Sequence, residues 1–403
     1  MDDDADVIYQ TQVKVLHVIP SVASCRGGPS EAVLAMCRAL KAQDVEAEIL
    51  TTDDAGPEVL PVITNRFIEH EGVNVCFLPR WSPRLGALRE FQYSPELSPW
   101  LHMHLREYDG LHVHAIFSHF PTRTMQLARR SGVPYLARPL GQLDPWSLTQ
   151  SAWKKRLYWR FIERNNLHNA QAIHCTSAIE SANVSRLLPD SRVEVIPHGV
   201  EPCAQVQSAG EELQARLGIP QNHRIILFLA RWHPKKNLPL LLQALGQLVS
   251  KEWTLVLAGQ GSESYSKEIH SAIASHGLQQ RVRVPGHVTG ALKSLLLQGS
   301  DLFVLPSESE NFGIAVAEAL VSGLRCVVTQ GVDLASVVQA LDGGTVCEAR
   351  LSSLTSSLDA ELQHPLHSKS ELSERATARF SWAASAKRLK TLYSDLFNRR
   401  NVI

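Results

Sequence analysis

An apolar run that ends in a glycine-rich or basic turn and then feeds a helix occurs in each half of this chain, and that repeat constrains the fold most. In the first half VKVLHVIP (13–20) reads as a buried strand, SVASCRGGPSEAVLAMCRALKAQ turns through Gly27 and Gly28 into a helix, and VEAEILTT supplies a second strand. In the second half RIILFLARWHPKKN ends an apolar strand in a basic turn, LPLLLQALGQLV reads as a helix and WTLVLAGQG as the next strand. Strand, turn, helix and strand in that order build the βαβ unit of a doubly wound, mostly parallel sheet. With 403 residues the chain exceeds what one core usually holds, so two α/β domains are expected.

Further strands are expected at 73–78, 111–117 and 134–137, with TRTMQLARRSG as a helix between the last two, then AIHCTS and VEVIPHGV. RVRVPGHV, DLFVLP and RCVVT continue the pattern in the second half. The stretch 81–104 mixes Pro, Trp and Tyr without periodicity and reads as an irregular excursion. These readings give a flexible acidic N-terminus over 1–12, a first domain over 13–200, a polar linker over 201–221 and a second domain over 222–375. A terminal amphipathic helix over 376–403 offers Phe380, Trp382, Leu389, Leu392, Tyr393 and Leu396 for packing.

Forty basic residues balance forty acidic ones, so no long-range field favours nucleic acid, which is not expected as a partner. Seven scattered cysteines without a CxxC pair fit a reducing compartment. Without a signal peptide or a run of about eighteen apolar residues, a soluble cytoplasmic protein is expected.

The segment SESENFGIAVAEALVSGLRCVV sets Glu310 in a loop and Glu318 on the following helix. Two carboxylates so placed can meet the vicinal hydroxyls of a sugar nucleotide, and the amides of Asn311, Phe312 and Gly313 at the helix start can meet hydroxyls or phosphate. Glu308 competes as the acidic candidate, and helix capping is the plainer reading of SESE. Arg231, with Lys235 and Lys236 shortly after it, can converge on a diphosphate; Lys236 is the favoured lysine. The alternatives are a solvated basic surface and, for His233, a helix start. Gly27 and Gly28 permit close backbone approach to phosphate, or mark only a tight turn; neither GxGxxG nor a P-loop is present.

ARPLGQLDPW offers Arg138, Gly141, Asp144 and Trp146 to an acceptor carbohydrate, and His119 lies just past a strand where it can touch substrate. Equally, His119 can be a satisfied polar residue or a local cap, Arg138 can pair with an acid, Asp144 can cap the next helix and Trp146 can fill a core. His112 and His114 share a strand face, yet no well-spaced acidic or cysteine ligand completes a set, so no metal site is expected. The helical WKKRLYWRFIER is basic and aromatic and could rest on anionic lipid, or be a partly buried helix with solvated charges.

Together these segments resemble the retaining glycosyltransferases of family 4, over nearly the whole chain; the pairing of ARWHPKKN with SESENFGIAVAEALVSGLRCVV carries most of the likeness. The resemblance implies a GT-B fold, two Rossmann-like domains facing each other across a cleft with a C-terminal helix bracing the first. It implies Arg231 and Lys236 on the donor diphosphate, Glu310 on the donor sugar, Glu318 on the ribose, the Gly27 and Gly28 loop under the phosphates, and no essential metal or cofactor. Catalysis would then rest on Arg231, Lys236 and Glu310. RPLG followed by LDPW resembles a subgroup linked with polysaccharide assembly, so the expected reaction carries a hexosyl group from a UDP- or GDP-sugar to a carbohydrate or lipid-linked glycan, at most peripherally on the inner membrane. Where many relatives have a histidine in a PHG-like turn, this chain has Leu140, which cannot supply an imidazole. A glycogen- or sucrose-type synthase, an epimerase of the same fold and an inactive nucleotide-sugar-binding protein are the other readings.

Overall fold

A computed structural model describes residues 12–83, 86–150, 152–202, 206–365 and 368–397. Apart from Gln12, the acidic N-terminus lies outside them, as does Cys203. The chain divides into two compact units: one ends at Gly199 and resumes at Trp382, and the other is Val200–Ser381.

In the first unit the strands of the main sheet are β1 (Lys14–Val18), β2 (Glu46–Thr52), β3 (Phe67–His70), β4 (Val73–Leu78), β5 (Gly110–His114), β6 (Tyr135–Arg138), β7 (Ala172–Cys175) and β8 (Val193–Val195). They form one sheet in the order β8-β7-β6-β5-β1-β2-β4-β3. Every pairing is parallel except that of β3 with β4. β5 and β6 are buried along their whole length, as expected of strands covered on both faces by crossover helices. The strand order reverses between β1 and β5, so the loops after these strands, and that after β6, open at a topological switch point.

The second unit carries β9 (Arg224–Leu229), β10 (Trp253–Ala258), β11 (Val282–Gly286), β12 (Leu302–Leu305), β13 (Cys326–Thr329) and β14 (Gly344–Cys347). Their order is β11-β10-β9-β12-β13-β14, all parallel. Here the switch lies between β9 and β12, the two strands that lead into the basic turn and the acidic loop. Both units are thus Rossmann-like.

The helix Trp382–Phe397 belongs to the first unit and packs on the helix Gly28–Lys41. Its Trp382, Leu389, Leu392, Tyr393 and Leu396 are buried as the amphipathic pattern requires, while Phe380 ends the preceding helix and joins the core of the second unit. Gly199 fixes the point of return, because a Cβ there would fall 2.2 Å from the Trp382 ring.

Several expected irregular stretches are helical. Within 81–104 lies Leu97–His104, which buries Leu97, Trp100 and Leu101 at i, i+3 and i+4. The stretch 201–221 holds Ala209–Leu217, whose Leu213 is fully buried. Beyond Leu351, where the chain turns polar and no element is read before 376, lie Leu351–Gln363 and Lys369–Phe380, each burying roughly one large residue per turn. In these helices a single narrow apolar stripe is masked by a polar average. β5 stops at His114, short of the expected 117, because Ala115 and Phe117 turn to positive φ.

Candidate active site

In the second unit, the turn after β9 is a short 3-10 helix, Pro234–Lys236, capped by His233, whose Nδ1 accepts from Lys235 N at 3.2 Å. That bond needs a neutral ring; burial and the neighbouring Arg231, Lys235 and Lys236 cations lower the His233 pKa accordingly. The acidic loop after β12 is tied to this turn by Glu308 N donating to Lys235 O at 3.0 Å. From behind, Glu310 N donates to Gly331 O at 2.8 Å and Asp333 N to Glu310 O at 3.1 Å. Gly331 must lack a side chain, since a Cβ would stand 2.3 Å from Glu308 O.

This bracing brings Lys236 Nζ into contact with Glu310 Oε2. Burial, then the Lys235 and Arg231 cations, push the Lys236 ammonium down to about 7. The touching Glu310 carboxylate pulls the other way and favours the charged form. Arg231 is exposed beside them. Gly313, at φ 83°, is the N-cap of the helix Ile314–Val321, and the amides of Asn311 and Gly313 have no partner among the described residues. Phe312 is buried against Phe380, so its side chain anchors the loop. Glu318 accepts from Lys293 Nζ at 2.6 Å, and Glu308 is exposed.

A cavity of about 360 Å³ adjoins this turn, lined by Arg231, Trp232, His233, Pro234, Gln260, Gly261, Ser262 and Tyr265. Gln260, Gly261, Ser262 and Tyr265 lie beyond what the motifs indicate. The loop after β10 is pressed against the loop after β9: Trp232 N donates to Gln260 O at 2.9 Å, and a Cβ on Gly259 would lie 1.9 Å from Ala230 O. Trp232 Nε1 and Tyr265 OH in this lining, and Ser307 Oγ and Asn311 Oδ1 on the acidic loop, are buried with no hydrogen-bond partner among the described residues. The three donors, Trp232 Nε1, Tyr265 OH and Ser307 Oγ, suit an anionic ligand, and Asn311 Oδ1 accepts from a ligand hydroxyl, so the four orphaned atoms together fit a ligand that carries both.

The first unit places its candidates at the ends of β1, β5 and β6. Gly27, at φ 91°, precedes the helix Gly28–Lys41, and the turn is held by Arg26 reaching Asp54 at 2.6 Å and Glu90 at 2.7 Å. His119 opens the helix His119–Ser131 beside the Tyr93 ring, with Nδ1 unpartnered among the described residues and its pKa lowered to about 4 by burial and Arg123. Ala115, Phe117 and Leu140 all sit at positive φ, a conformation that strains residues other than glycine and that clusters at binding sites. Two buried carboxylates hold these loops: Glu163 accepts from Phe117 N at 3.0 Å, and Glu180 from Gly141 N at 2.6 Å and Thr176 N at 2.7 Å. Nothing in the motifs marks either one.

Arg138 does not reach the surface. It is 1% exposed, and instead of pairing with an acid it lies 3.4 Å from His114 Nδ1 and 3.0 Å from the His198 ring. It therefore holds the strand end and does not offer a charge to an acceptor. Asp144 takes the N-cap position of Pro145–Thr149 but turns its carboxylate to Asn183 Nδ2 at 3.1 Å, without capping the helix. Trp146 fills no core, being 36% exposed.

Behind Arg138, His17 joins His112 and His114, with ring nitrogens of the three within 4.8 Å of one another. His17 on the neighbouring strand β1 supplies the third imidazole that spacing in sequence does not reveal. The hydrogen bonds assign every tautomer. His174 Nε2 must donate to Ile196 O (2.8 Å), leaving its Nδ1 to accept from His112 Nε2 (3.1 Å). His112 Nδ1 then accepts from Tyr393 OH (2.7 Å), and the Tyr393 oxygen accepts from His17 Nε2 (3.4 Å). His17 Nδ1 accepts from His114 Nε2 (3.1 Å), and His114 Nδ1 from Arg138. Four neutral Nε2–H imidazoles and one phenol thus form a directed chain in which each ring donates once and accepts once. Burial, reinforced by Arg138, holds His17 down to about 3 and the other rings well below their usual range. A dication here would displace these bonds beside the Arg138 cation, which weighs against one.

Two domain models match in tandem: a glycosyl transferase 4-like domain over residues 27–199 and a glycosyl transferases group 1 domain over residues 210–378. The chain belongs to the family 4 glycosyltransferases. Members are retaining enzymes that use nucleotide-sugar donors. Among curated relatives, the GDP-mannose:cellobiosyl-diphosphopolyprenol alpha-mannosyltransferase of Xanthomonas campestris is 23% identical over 378 residues, 92% of each chain. Among solved structures, sucrose-phosphate synthase from Thermosynechococcus elongatus superposes with a TM-score of 0.79 at 19% identity, covering 96% of this glycosyltransferase and all of that chain. Anabaena HepE, solved with UDP and glucose, gives 0.74 at 19% identity, with coverage of 96% and 100%. At these identities the structural neighbours establish the fold and not the substrates. No helix among the described residues is long and apolar enough to cross a membrane.

Proposed function

We propose that this glycosyltransferase moves a hexosyl group from a UDP- or GDP-sugar to a carbohydrate or lipid-linked glycan during polysaccharide assembly, in the cytoplasm and without a divalent metal. The observation that carries the reading is the Lys236–Glu310 contact beside Arg231, held by the hydrogen bond from Glu308 N to Lys235 O between the two loops at the switch point of the second unit. In the reaction the bond from the anomeric carbon to the donor's phosphate oxygen breaks and one to the acceptor oxygen forms on the same face. The acceptor proton passes to the departing diphosphate. Arg231 and Lys236 stabilise the charge that develops there, Glu310 holds sugar hydroxyls, and Glu318 the ribose. The likeness to the GDP-mannose:cellobiosyl-diphosphopolyprenol alpha-mannosyltransferase of Xanthomonas supports a nucleotide-linked hexose and a polyprenol-linked glycan as substrate classes. Gly27 and Gly28 are the proposed phosphate-facing turn of the first unit, and His119, Gly141, Asp144 and Trp146 its proposed acceptor-contacting residues.

The test is substitution. Lys236→Ala and Arg231→Ala are each expected to lower kcat about 100-fold while the melting temperature holds, as for other donors to a developing oxyanion. Glu310→Ala is expected to weaken the sugar nucleotide more than the free nucleoside diphosphate. Wild-type turnover by Lys236→Ala, or equal losses for both ligands in Glu310→Ala, would contradict the assignment.

A further inference from the structure

The helical stretch built from Ala152–Tyr158, the π-turn Trp159–Glu163 and Arg164–His168 has two unlike faces. Its inner face is anchored: Glu163, Asn166 and Leu167 are buried, with Asn166 Nδ2 donating to Glu163 Oε2 at 3.1 Å and Tyr135 OH to Asn166 O at 2.5 Å. Its outer face carries Trp153, Leu157 and Phe161, exposed by 66%, 50% and 72%. Residues four apart on an α-helix drift by about 40° per step. The wider π-turn rotates less per residue and offsets that drift, so the three side chains keep to one stripe. A well-anchored helix that leaves its largest apolar groups in water is missing a partner for that face.

The charge around the stripe says which partner. Lys154, Arg156, Arg160 and Arg164 are exposed, and no carboxylate among the described residues lies within ion-pair distance of any of them. The one acid of the stretch, Glu163, is buried on the opposite side. In a chain whose total charge is balanced, this face is therefore purely cationic. The apolar field continues past the helix, because Tyr158 meets Phe91 edge-on at 6.3 Å, and Phe91 and Tyr93 are themselves 38% and 40% exposed. Nucleic acid would engage the cations and leave Leu157 and Phe161 in water. An anionic bilayer takes both, with phosphates against Arg and Lys and the acyl boundary against Trp, Leu and Phe.

We infer that the face of Trp153, Leu157 and Phe161, flanked by Arg156, Arg160 and Arg164, seats the first unit on an anionic lipid surface. The inference does not depend on the transfer reading, since lipid binding is measured without donor or acceptor. Full-length protein is sedimented with vesicles of phosphatidylcholine alone or mixed with phosphatidylglycerol, in low and high salt. It is expected to pellet only with the mixed vesicles, and less so in high salt. The pair Arg156→Glu and Arg160→Glu, and separately the pair Leu157→Ser and Phe161→Ser, should each weaken binding roughly 10-fold or more. Circular dichroism and an unchanged melting temperature confirm that each pair folds, because all four side chains are exposed. No binding to mixed vesicles in low salt overturns the inference. So does binding that the serine pair leaves intact, which would show mere charge attraction.

Discussion

Tyr265 OH is buried at the edge of the cavity without a partner among the described residues, and a hydroxyl left so costs folding about 1–3 kcal/mol. Such a cost persists most readily where a ligand repays it. Tyr265→Phe is therefore expected to leave the melting temperature equal or higher while weakening nucleoside diphosphate sugar about 5-fold or more, the loss of one ligand hydrogen bond. Calorimetry on the variant checks both, and unaltered donor affinity would remove Tyr265 from the site. Tyr393 is the opposite case: its hydroxyl is doubly used, between His112 and His17. Tyr393→Phe strands the His112 acceptor and is expected to cost about 1–3 kcal/mol in urea unfolding.

The same chain of rings sets an acid limit. The rings stay neutral in the folded protein, whereas in the unfolded chain they take a proton near pH 6.5, so the unfolded state binds more protons below that pH. Their contribution is complete above about pH 6.5 and is lost as pH falls from there toward the depressed folded values, about 3 for His17. At pH 5 the loss is roughly 2 kcal/mol for each ring that stays neutral. Stability measured from pH 7 to 5 should fall with a slope of more than one proton; a flat profile would mean the rings are not held as described.

At the scale of elements, the strongest periodic segments were legible: β1, β2, β9, β10 and the helices after β1 and β9 lie where the apolar runs put them. The acidic loop and the basic turn were legible as the segments that follow β12 and β9, and the structure brings Lys236 and Glu310 of the two together. What the sequence hid was whatever depends on neighbours in space. The helix Ala209–Leu217 reads as linker because only one side of it is apolar, and Leu97–His104 because its Pro and Trp residues look like loop. His17 is 95 residues from His112, and only strand pairing sets them side by side. Arg138 reads as an acceptor contact or the partner of an acid, and no local pattern reveals that the imidazoles of His114 and His198 lie against it. No motif marks Glu163 or Glu180, though each holds a loop from beneath.

At the scale of the whole molecule, the first unit is discontinuous: Trp382, Leu389, Tyr393 and Phe397 complete a core begun by Val13, Val15 and Leu40. A Cβ on Gly110 would fall 2.6 Å from the Phe397 ring, so helix and sheet are fitted to each other. Ending the chain after Ser381 would strip that core and leave the histidine chain without its phenol. The second unit keeps its own continuous core. The truncated protein is expected to lose protection of β1, β5 and β7 in hydrogen exchange while β9, β10 and β12 remain protected. Retained protection throughout would show that the returning helix is dispensable.

The central claim is that the basic turn and acidic loop of the second unit bind a nucleotide sugar and pass its sugar on with retained configuration. It is tested most directly by offering a panel of UDP- and GDP-sugars with a glycan acceptor in EDTA and reading the anomeric configuration of the product by NMR. One donor is expected to saturate the protein and an α-linked donor to yield an α-linked product, with kcat lowered about 100-fold in Lys236→Ala. An inverted linkage, or no donor that binds saturably, would contradict it.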